Sequence, residues 1–366
     1  MDLHLLDASP TDEERAAVDA LLGAPASGWD GGVRDERRDA HAASGGHAAR
    51  ARRHLLLPAL QAVQSTIGWI SEGALNYVCE RLSVPPADAY GVATFYALLS
   101  TTPRPRRVLH VCDDIACRCK EADKLCDALE RSVGPAGHHG PDGEHVEIGE
   151  DDAIWLRSPC LGLCDQAPAA LMTVAGIEPV ERLFGNVDEA MAKRVLDGDL
   201  SASAGPHPRL PQAGDPSLRL LRRVDVADPA SLDAYRALGG YEALRAAIAM
   251  GPEGVIREVT DAKLLGRGGA AFPTGRKWDA VAHQPVRPHY LICNADESEP
   301  GTFKDRMVFE QDPFSVIEAM TIAAYATGAE EGYLYLRGEY PLAWDRLVNA
   351  VTLARRHGFL GEDIMG

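Results

Sequence analysis

The spacing of apolar residues divides the chain into a helical segment and two later segments in which strands alternate with helices. In the helical segment, four apolar residues recur at intervals of four, three and four, as they do on one face of a helix: Leu56, Leu60, Val63 and Ile67. Gly68 ends this helix, and two more short helices are predicted within residues 71–99. We therefore expect residues 51–102 to form a three-helix bundle.

A weaker pattern precedes the bundle. Residues 11–22 fit a short helix, with Thr11 as its N-cap and Glu14 three residues later, which is the spacing of a capping box. Residues 23–49 show no apolar period. We assign residues 1–50 to a flexible N-terminal tail.

Residues 103–200 alternate between strand and helix patterns. The predicted elements are a strand, a helix, four strands and a closing helix, at 107–112, 121–132, 145–148, 153–156, 170–174, 179–183 and 187–196. This order indicates a compact α/β domain. Residues 201–227 follow as a linker, because they contain prolines and little apolar periodicity.

The remaining residues, 228–366, form a second α/β segment. Three helices come first, then strands and helices in alternation, at 232–238, 241–250, 253–265, 289–293, 314–327, 332–336 and 341–357. The fold class that we predict is therefore α/β and multidomain.

Composition narrows the function classes. The net charge of −17 over 366 residues disfavours nucleic-acid binding and adsorption to anionic lipid. The N-terminus lacks a basic region and a long apolar region, so it does not resemble a signal peptide. The eight cysteines therefore indicate metal ligands or free thiols rather than disulfides.

Four cysteines occur in two close pairs, each just after a predicted strand: Cys112, Cys117, Cys160 and Cys164. Wide C-x4-C and C-x3-C spacings suit a 2Fe–2S cluster, in which each iron takes two thiolates. A structural zinc site remains the alternative, although zinc prefers tighter pairs. Cys119 has no assigned role, and Cys126 falls on a helix and is expected in the core.

The segment GRGGAAFPTGRKW at 266–278 is a glycine-rich loop with three basic residues in an acidic chain. Such a loop favours an anion held by backbone N–H groups, and hence a phosphate-bearing cofactor. The loop fits the dinucleotide fingerprint G-x-G-x-x-A formally, but the fingerprint should follow a strand, whereas residues 255–265 have a helical pattern. We therefore do not assign a Rossmann turn.

The cysteine pairs carry a family resemblance. The segments VCDDIAC at 111–117 and SPCLGLCDQAP at 158–168 resemble the thioredoxin-like 2Fe–2S subunit of the NADH-oxidising arm of respiratory complex I, as do the bundle and its final YGVATFY. The resemblance covers about residues 52–198. It implies a thioredoxin-like domain over residues 103–200, with the four paired cysteines as the cluster ligands.

The glycine loop carries a second resemblance, together with YLICNADESEPGTFKDR at 290–306 and YLYLRGEY at 333–340. These segments are similar to the FMN- and NADH-binding subunit of the same complex I arm, over about residues 235–366. The similarity implies cofactor-binding residues in the loop and after the strand, namely Gly266, Arg267, Gly268, Phe272, Lys277, Asn294, Asp296, Glu297 and Glu299. Position 271 is an alanine where this family usually has glycine.

The side-chain chemistry agrees with these implied roles. Lys277 can act as a point charge for a phosphate or a ring edge, and Phe272 offers an aromatic face. Asn294, Asp296 and Glu297 can hydrogen-bond ribityl hydroxyls and ring nitrogens of a flavin. An isolated acidic run of this kind is otherwise a solvated loop.

The family continues beyond Gly366 with a segment that completes the flavin site, a ubiquitin-like module and a helical domain that binds a 4Fe–4S cluster. The sequence contains none of these segments, so the resemblance implies a C-terminally truncated chain with an incomplete FMN-binding domain at 228–366. The 4Fe–4S cluster is expected only in a full-length form, because its ligands are absent here.

Fusion of both subunit types in one chain resembles the diaphorase subunits of NAD-dependent formate dehydrogenases and NAD-reducing hydrogenases. We therefore expect an NADH:acceptor oxidoreductase module with FMN, NAD(H) and a 2Fe–2S cluster. Its expected partners are other iron–sulfur or catalytic subunits, and its expected location is cytoplasmic or peripheral on the cytoplasmic side of a membrane complex. The alternative is a non-catalytic 2Fe–2S electron carrier with an incomplete flavin site.

Overall fold

The computed structural model of the protein describes residues 7–25, 51–137, 152–201, 210 and 212–365. The chain divides into two compact units, Met1–Gly205 and Pro206–Gly366. Each unit has its own hydrophobic core.

The first unit begins with four helices: α1 (Asp12–Leu22), α2 (Leu56–Ile67), α3 (Glu72–Leu82) and α4 (Pro86–Phe95). Local signals set their bounds. Gly68 adopts a φ of 102° and ends α2, and Ser71 begins α3 by accepting a hydrogen bond from the Ala74 N–H at 3.0 Å. Pro86 occupies the first turn of α4. The predicted three-helix bundle is therefore present at 56–95.

Helix α1 packs against this bundle. Its Val18 is fully buried in the same core as α2 and α3. Its Asp19 accepts hydrogen bonds from Tyr77, at 2.7 Å, and from Arg81. The tail that we expected over residues 1–50 thus contains a helix that belongs to the bundle. The capping box predicted the helix itself, but its partners in α3 lie 58 and 62 residues further along the chain.

A glycine allows the close contact between α3 and the segment before α1. A Cβ atom at Gly73 would lie 2.2 Å from the Ser9 carbonyl oxygen, so an alanine there must displace the segment. We expect Gly73→Ala to lower the free energy of unfolding by about 1–3 kcal/mol, measured as a shift of the urea midpoint. Gly91→Ala in α4 is the matched control, because nothing lies within 4 Å of its Cβ position. The control should raise stability by roughly 0.5–1 kcal/mol, and equal effects of the two changes would contradict the contact.

A four-stranded sheet follows in the first unit. Its strands are β1 (Arg107–Cys112), β2 (Ala153–Ser158), β3 (Ala170–Val174) and β4 (Val180–Phe184), in the order β2-β1-β3-β4. Strand β2 runs parallel to β1, whereas β3 is antiparallel to β1 and to β4. The strand predicted at 145–148 lies outside the described residues. Because β1 and β2 are parallel, the loops that follow them leave the sheet on the same side, at the carboxyl ends of the strands.

Three helices accompany this sheet: α5 (Ile115–Arg118), α6 (Ala122–Ser132) and α7 (Glu189–Leu196). Apolar residues of α6 and α7 share one core with Leu109, Trp155 and Phe184 of the sheet. Cys112 and Leu171 belong to a separate cluster with residues of the two cysteine-bearing loops. The cysteine site thus packs in a cluster of its own, separate from the core that α6 and α7 share with the sheet.

The segment predicted as a linker, 201–227, is partly folded into the second unit. Val224 is buried, and Arg223 donates from Nε to Asp312 at 2.8 Å in a buried ion pair. The guanidinium also lies over the Tyr235 ring at 4.8 Å. The proline content predicted a linker. The sequence gives no local sign that Arg223 pairs with Asp312, because the two residues are 89 positions apart.

The second unit contains nine elements within the described part of the chain: α8 (Leu232–Ala237), α9 (Glu242–Met250), α10 (Pro252–Asp261), α11 (Thr274–Ala282), β5 (His289–Ala295), α12 (Lys304–Gln311), α13 (Pro313–Thr327), β6 (Ala329–Leu336) and α14 (Pro341–Arg356). Strands β5 and β6 pair in parallel. No helix among the described residues is both long and apolar enough to cross a membrane.

A buried carboxylate joins α9 to α13. Glu318 of α13 accepts hydrogen bonds from the N–H groups of Tyr241 and Leu244, at 2.8 and 3.0 Å, and from the Tyr235 hydroxyl. It therefore caps the N-terminus of α9, whose own sequence supplies no side-chain cap.

Three helices of this unit differ from the sequence expectation. Helix α10 ends at Asp261 rather than near residue 265, and α11 begins inside the predicted glycine loop, directly after Pro273. The loop therefore does open a helix, as a dinucleotide fingerprint would, but it follows a helix and not a strand. Helix α12 was not predicted, and no neighbouring side chain caps its N-terminus.

Candidate functional site

The four paired cysteines meet at the carboxyl ends of β1 and β2 in the first unit's sheet. Cys112 is the last residue of β1 and Cys117 lies in α5, while Cys160 and Cys164 lie in the loop after β2. The first three side chains are buried and the fourth is half-buried. The parallel pairing of β1 with β2 is what brings the two loops together, so the predicted convergence of the quartet is present.

The sulfur atoms contact one another. Cys160 Sγ and Cys164 Sγ are 3.4 Å apart, and the Cys112 thiol is hydrogen-bonded to Cys117 and to Cys160. The hydrogen bond with Cys117 raises the pKa of the Cys112 thiol, and the same bond lowers the pKa of Cys117. Ligation of a metal would require both side chains as thiolates and would release their protons.

Backbone N–H groups point at the sulfur atoms. The Gly162 amide donates to Cys160 Sγ at 3.3 Å, and the backbone N–H groups of Asp114 and Ala169 donate to Cys112 and Cys117. Such bonds favour the thiolate form that a metal requires, and they influence the potential of a cluster.

Asp114 connects the two loops. Its Oδ1 accepts from the Ile115 N–H at 2.7 Å, which begins α5, and its Oδ2 accepts from the Cys160 N–H at 3.1 Å. One carboxylate thus contacts both cysteine-bearing segments.

The donor set fits a 2Fe–2S cluster. Four thiols in two neighbouring pairs match the two thiolates that each iron takes. A structural zinc ion instead needs its ligands around one point.

Other cysteines lie outside the quartet. Cys126 is fully buried in the core between the sheet and its helices, and burial raises its pKa to about 11. Cys79 is equally buried in the bundle, where burial raises its pKa to about 12. Cys119 is exposed, two residues beyond Cys117. The expectation that Cys126 is a core residue is confirmed.

In the second unit, the glycine loop is a closed turn at the start of α11. The Gly266 N–H donates to the Phe272 carbonyl and the Thr274 N–H to the Leu264 carbonyl, both at 2.8 Å. Nothing lies within 4 Å of the Cβ positions of Gly268 and Gly269, so the tip of the loop is open to a ligand. Ala271 adopts a φ of 45°, a left-handed conformation that glycine adopts without strain. The family preference for glycine at this position therefore has a backbone reason.

The side chains predicted to bind in this loop are accessible. Arg267, Phe272 and Lys277 are exposed, and the Arg276 guanidinium lies 5.7 Å from the centre of the Phe272 ring. Gly275 packs α11 closely on α10, since a Cβ there would lie 2.1 Å from Thr260 Oγ1. The loop thus presents an aromatic ring and positive charges beside open backbone at a helix N-terminus, which suits a phosphate-bearing ligand.

The residues after β5 divide into two groups. Asn294, Asp296 and Glu299 are exposed, and the Asn294 side chain accepts from the Asp296 N–H at 3.1 Å. Glu297 is only 2% exposed. The side chains of the exposed group are accessible to a ligand, whereas the Glu297 carboxylate is turned into the protein.

Glu297 caps α12. Its carboxylate accepts from the N–H groups of Asp305, at 3.0 Å, and Arg306, at 3.1 Å, and from the Tyr340 hydroxyl at 3.1 Å. Arg337, which follows β6, donates to the Glu297 carbonyl oxygen. The ends of both parallel strands are therefore joined through Glu297.

Sequence reasoning did not single out Arg337 or Tyr340. Both lie in the segment YLYLRGEY, which served only to extend the resemblance. Arg337 is 6% exposed and Tyr340 1% exposed. An arginine directly after an apolar strand needs a hydrogen-bond acceptor when it is buried. The position of Arg337 after such a strand was the signal that the sequence offered.

The two sites define a class of protein, namely redox proteins that combine an iron–sulfur domain with a flavin-binding domain. Comparison with known families agrees. Residues 44–198 match the family model of the thioredoxin-like [2Fe-2S] ferredoxin, and residues 259–365 match the Nuo51 FMN-binding domain. The chain therefore carries these two domains, and the predicted fold class and cofactor-binding domains are confirmed.

Individual relatives match over different lengths. One NADH-quinone oxidoreductase subunit of Aquifex aeolicus is 50% identical over 147 residues, which are 40% of this chain and 34% of that protein. The subunit alpha of NAD-reducing hydrogenase HoxS of Cupriavidus necator is 31% identical over 343 residues, which are 87% of this chain and 51% of that protein. A crystal structure of NAD⁺-reducing [NiFe]-hydrogenase in the air-oxidized state aligns with a TM-score of 0.61 and 28% identity, over 83% of this chain and 49% of that chain. The chain thus spans about half the length of the relatives that it matches along both domains.

Proposed function

We propose that the protein is a diaphorase module, which passes electrons between NAD(H), FMN and iron–sulfur clusters within a larger redox assembly. The observation that carries the proposal is that one chain holds both a thioredoxin-like [2Fe-2S] domain and an FMN-binding domain. The relative that matches along both domains is named as a subunit of an NAD-reducing hydrogenase. Its partners would be other iron–sulfur or catalytic subunits of a complex I-like, hydrogenase or formate dehydrogenase assembly.

The cysteine quartet would ligate the 2Fe–2S cluster. Their contacting sulfur atoms, and the N–H groups directed at them, support this role. Thiols of this kind persist in reducing compartments, which is consistent with a cytoplasmic location, or a peripheral one on the cytoplasmic side of a membrane complex.

The flavin and nucleotide would be held by the glycine loop and the segment after β5. The residues that we assign to this role are Gly266, Arg267, Gly268, Phe272, Lys277, Asn294, Asp296, Glu297 and Glu299. Bound FMN supplies the exchange of electron pairs with a nicotinamide and of single electrons with iron–sulfur centres. The open backbone of Gly268 and the Lys277 ammonium would bind anionic groups, Phe272 would offer a stacking face, and Asn294 would orient hydroxyls. Glu297 would act largely by holding its neighbours in place, because its carboxylate is engaged by α12.

The proposal predicts a specific spectrum. Protein purified without oxygen should contain about two irons per chain and negligible zinc, with the absorption of an iron–sulfur cluster. Protein supplied with FMN should bind it, and NADH should then bleach the flavin band. Iron without flavin binding would favour the electron-carrier alternative, and zinc without iron would contradict both functions. Lys277→Ala should weaken FMN and NADH binding while the iron content stays unchanged.

A further inference from the structure

Asp114 lies in the short stretch between Cys112 and Cys117, yet it contacts the other cysteine-bearing loop. Its two carboxylate oxygens accept different N–H groups, those of Ile115 at 2.7 Å and Cys160 at 3.1 Å. One side chain therefore joins the start of α5 to the loop after β2 at the point where the quartet converges.

The neighbouring Asp113 has a different environment. It is paired with two arginines, Arg157 at 3.3 Å and Arg118 at 4.0 Å. Its side chain is 21% exposed, and its backbone N–H continues the β1–β2 ladder by donating to the Ser158 carbonyl. Two adjacent residues of the same type thus differ in whether the carboxylate accepts a backbone N–H group of the loop after β2.

We infer that Asp114 is a positioning residue for the iron–sulfur site, which holds the Cys160 loop against the loop of Cys112 and Cys117. The inference rests on the proposed ligation of a cluster by these cysteines. Residues that orient metal ligands in this way commonly change metal affinity by about 10–100-fold when replaced.

Two substitutions separate the effects. Asparagine offers a single acceptor oxygen to two N–H donors. Asp114→Asn therefore removes the negative charge and one of the two hydrogen bonds. Asp114→Ala removes both hydrogen bonds. Because net charge helps to set the potential of a cluster, Asp114→Asn should make the midpoint potential more positive.

The first test uses cluster-free protein under reducing conditions and follows amide hydrogen exchange by mass spectrometry. Peptides that contain residues 159–164 should exchange faster in Asp114→Ala and Asp114→Asn than in the parent protein. Asp113→Asn is the matched control and should leave their exchange unchanged. Equal exchange in all four proteins would overturn the connection, whether or not the protein binds a cluster.

The second test uses the cluster-loaded chain. Loss of the visible bands in the presence of a chelator should be about 10–100-fold faster for Asp114→Ala, intermediate for Asp114→Asn and near the parent rate for Asp113→Asn. A redox titration followed by electron paramagnetic resonance should show a larger positive shift for Asp114→Asn than for Asp113→Asn. Equal rates and equal shifts for the two asparagine variants would overturn the positioning role. If the parent protein takes up no iron, the proposed function fails. The exchange experiment still shows whether Asp114 holds the loop of Cys160.

Discussion

Cys112→Ser and Cys164→Ser are each expected to abolish the iron–sulfur cluster. The two cysteines belong to different pairs, so either change removes one of the two thiolates that an iron requires. A serine hydroxyl is a poor substitute, because it remains protonated where a thiol ionises. Iron content should fall from about two per chain to near zero, with loss of the visible bands.

Cys126→Ser is the control for this experiment. Cys126 lies in the core between the sheet and its helices, in a cluster separate from that of Cys112 and Cys117. A buried hydroxyl there should cost about 1–3 kcal/mol of stability, since it enters an apolar environment. The iron content should nevertheless stay at the parent level. A full cluster in either quartet variant would contradict the ligand set.

Exposed Cys119 provides a further distinction. It lies two residues beyond Cys117, so it is the nearest thiol that could replace a lost ligand. If Cys117→Ser retains iron but the double variant Cys117→Ser, Cys119→Ser does not, Cys119 can replace Cys117 as a ligand. We expect both to lose the cluster, because Cys117 is buried against Ala169 whereas Cys119 faces solvent.

Much of the first unit was predictable because its signals are local. Helices α2 and α3 follow from apolar spacing bounded by Gly68 and Ser71, and the structure places their ends at these residues. The quartet was predictable for a related reason. Two cysteine pairs that each follow a strand converge whenever those strands are parallel neighbours, and this is the arrangement of β1 and β2.

The second unit was less predictable because several of its helices are stabilised from a distance. Helix α12 has no side-chain cap adjacent to it, and its N–H groups are capped by Glu297, eight and nine residues earlier. Helix α9 is capped by Glu318, which lies 77 and 74 residues after the two N–H donors. Neither cap leaves the S/T-x-x-E spacing that marks a helix start in a sequence.

The acidic run after β5, within the candidate site, also depends on partners that are distant in the sequence. Asp296, Glu297 and Glu299 are chemically alike in the sequence, and all three were assigned to cofactor binding. Only Glu297 is turned inward, because Tyr340 and the N-terminus of α12 donate hydrogen bonds to its carboxylate. The partners that decide its orientation lie up to 43 residues away and have no periodic relation to it.

Glu297→Gln is expected to weaken FMN binding strongly as well as to destabilise the second unit. The glutamine amide has one acceptor oxygen, and its NH2 group would face backbone N–H donors whose hydrogen bonds the carboxylate now accepts. Loss of a charge-assisted hydrogen bond at a helix N-terminus costs about 1.5–3 kcal/mol. Because the segment of Asn294 and Asp296 is anchored through Glu297, FMN affinity should fall by about tenfold or more, which corresponds to roughly 1.4 kcal/mol.

Glu318→Gln is a closely matched control for this change. Glu318 is also a buried carboxylate that caps a helix through two N–H groups and one tyrosine hydroxyl, but its partners all belong to the segment before α10. Both variants should lower the urea midpoint by similar amounts, whereas only Glu297→Gln should raise the Kd for FMN, measured by quenching of flavin fluorescence at a temperature where each variant is folded. Amide exchange at Asp305 and Arg306 should rise in Glu297→Gln alone. Equal losses of FMN affinity in the two variants would mean that general destabilisation, and not the anchoring of the strand end by Glu297, controls the flavin site.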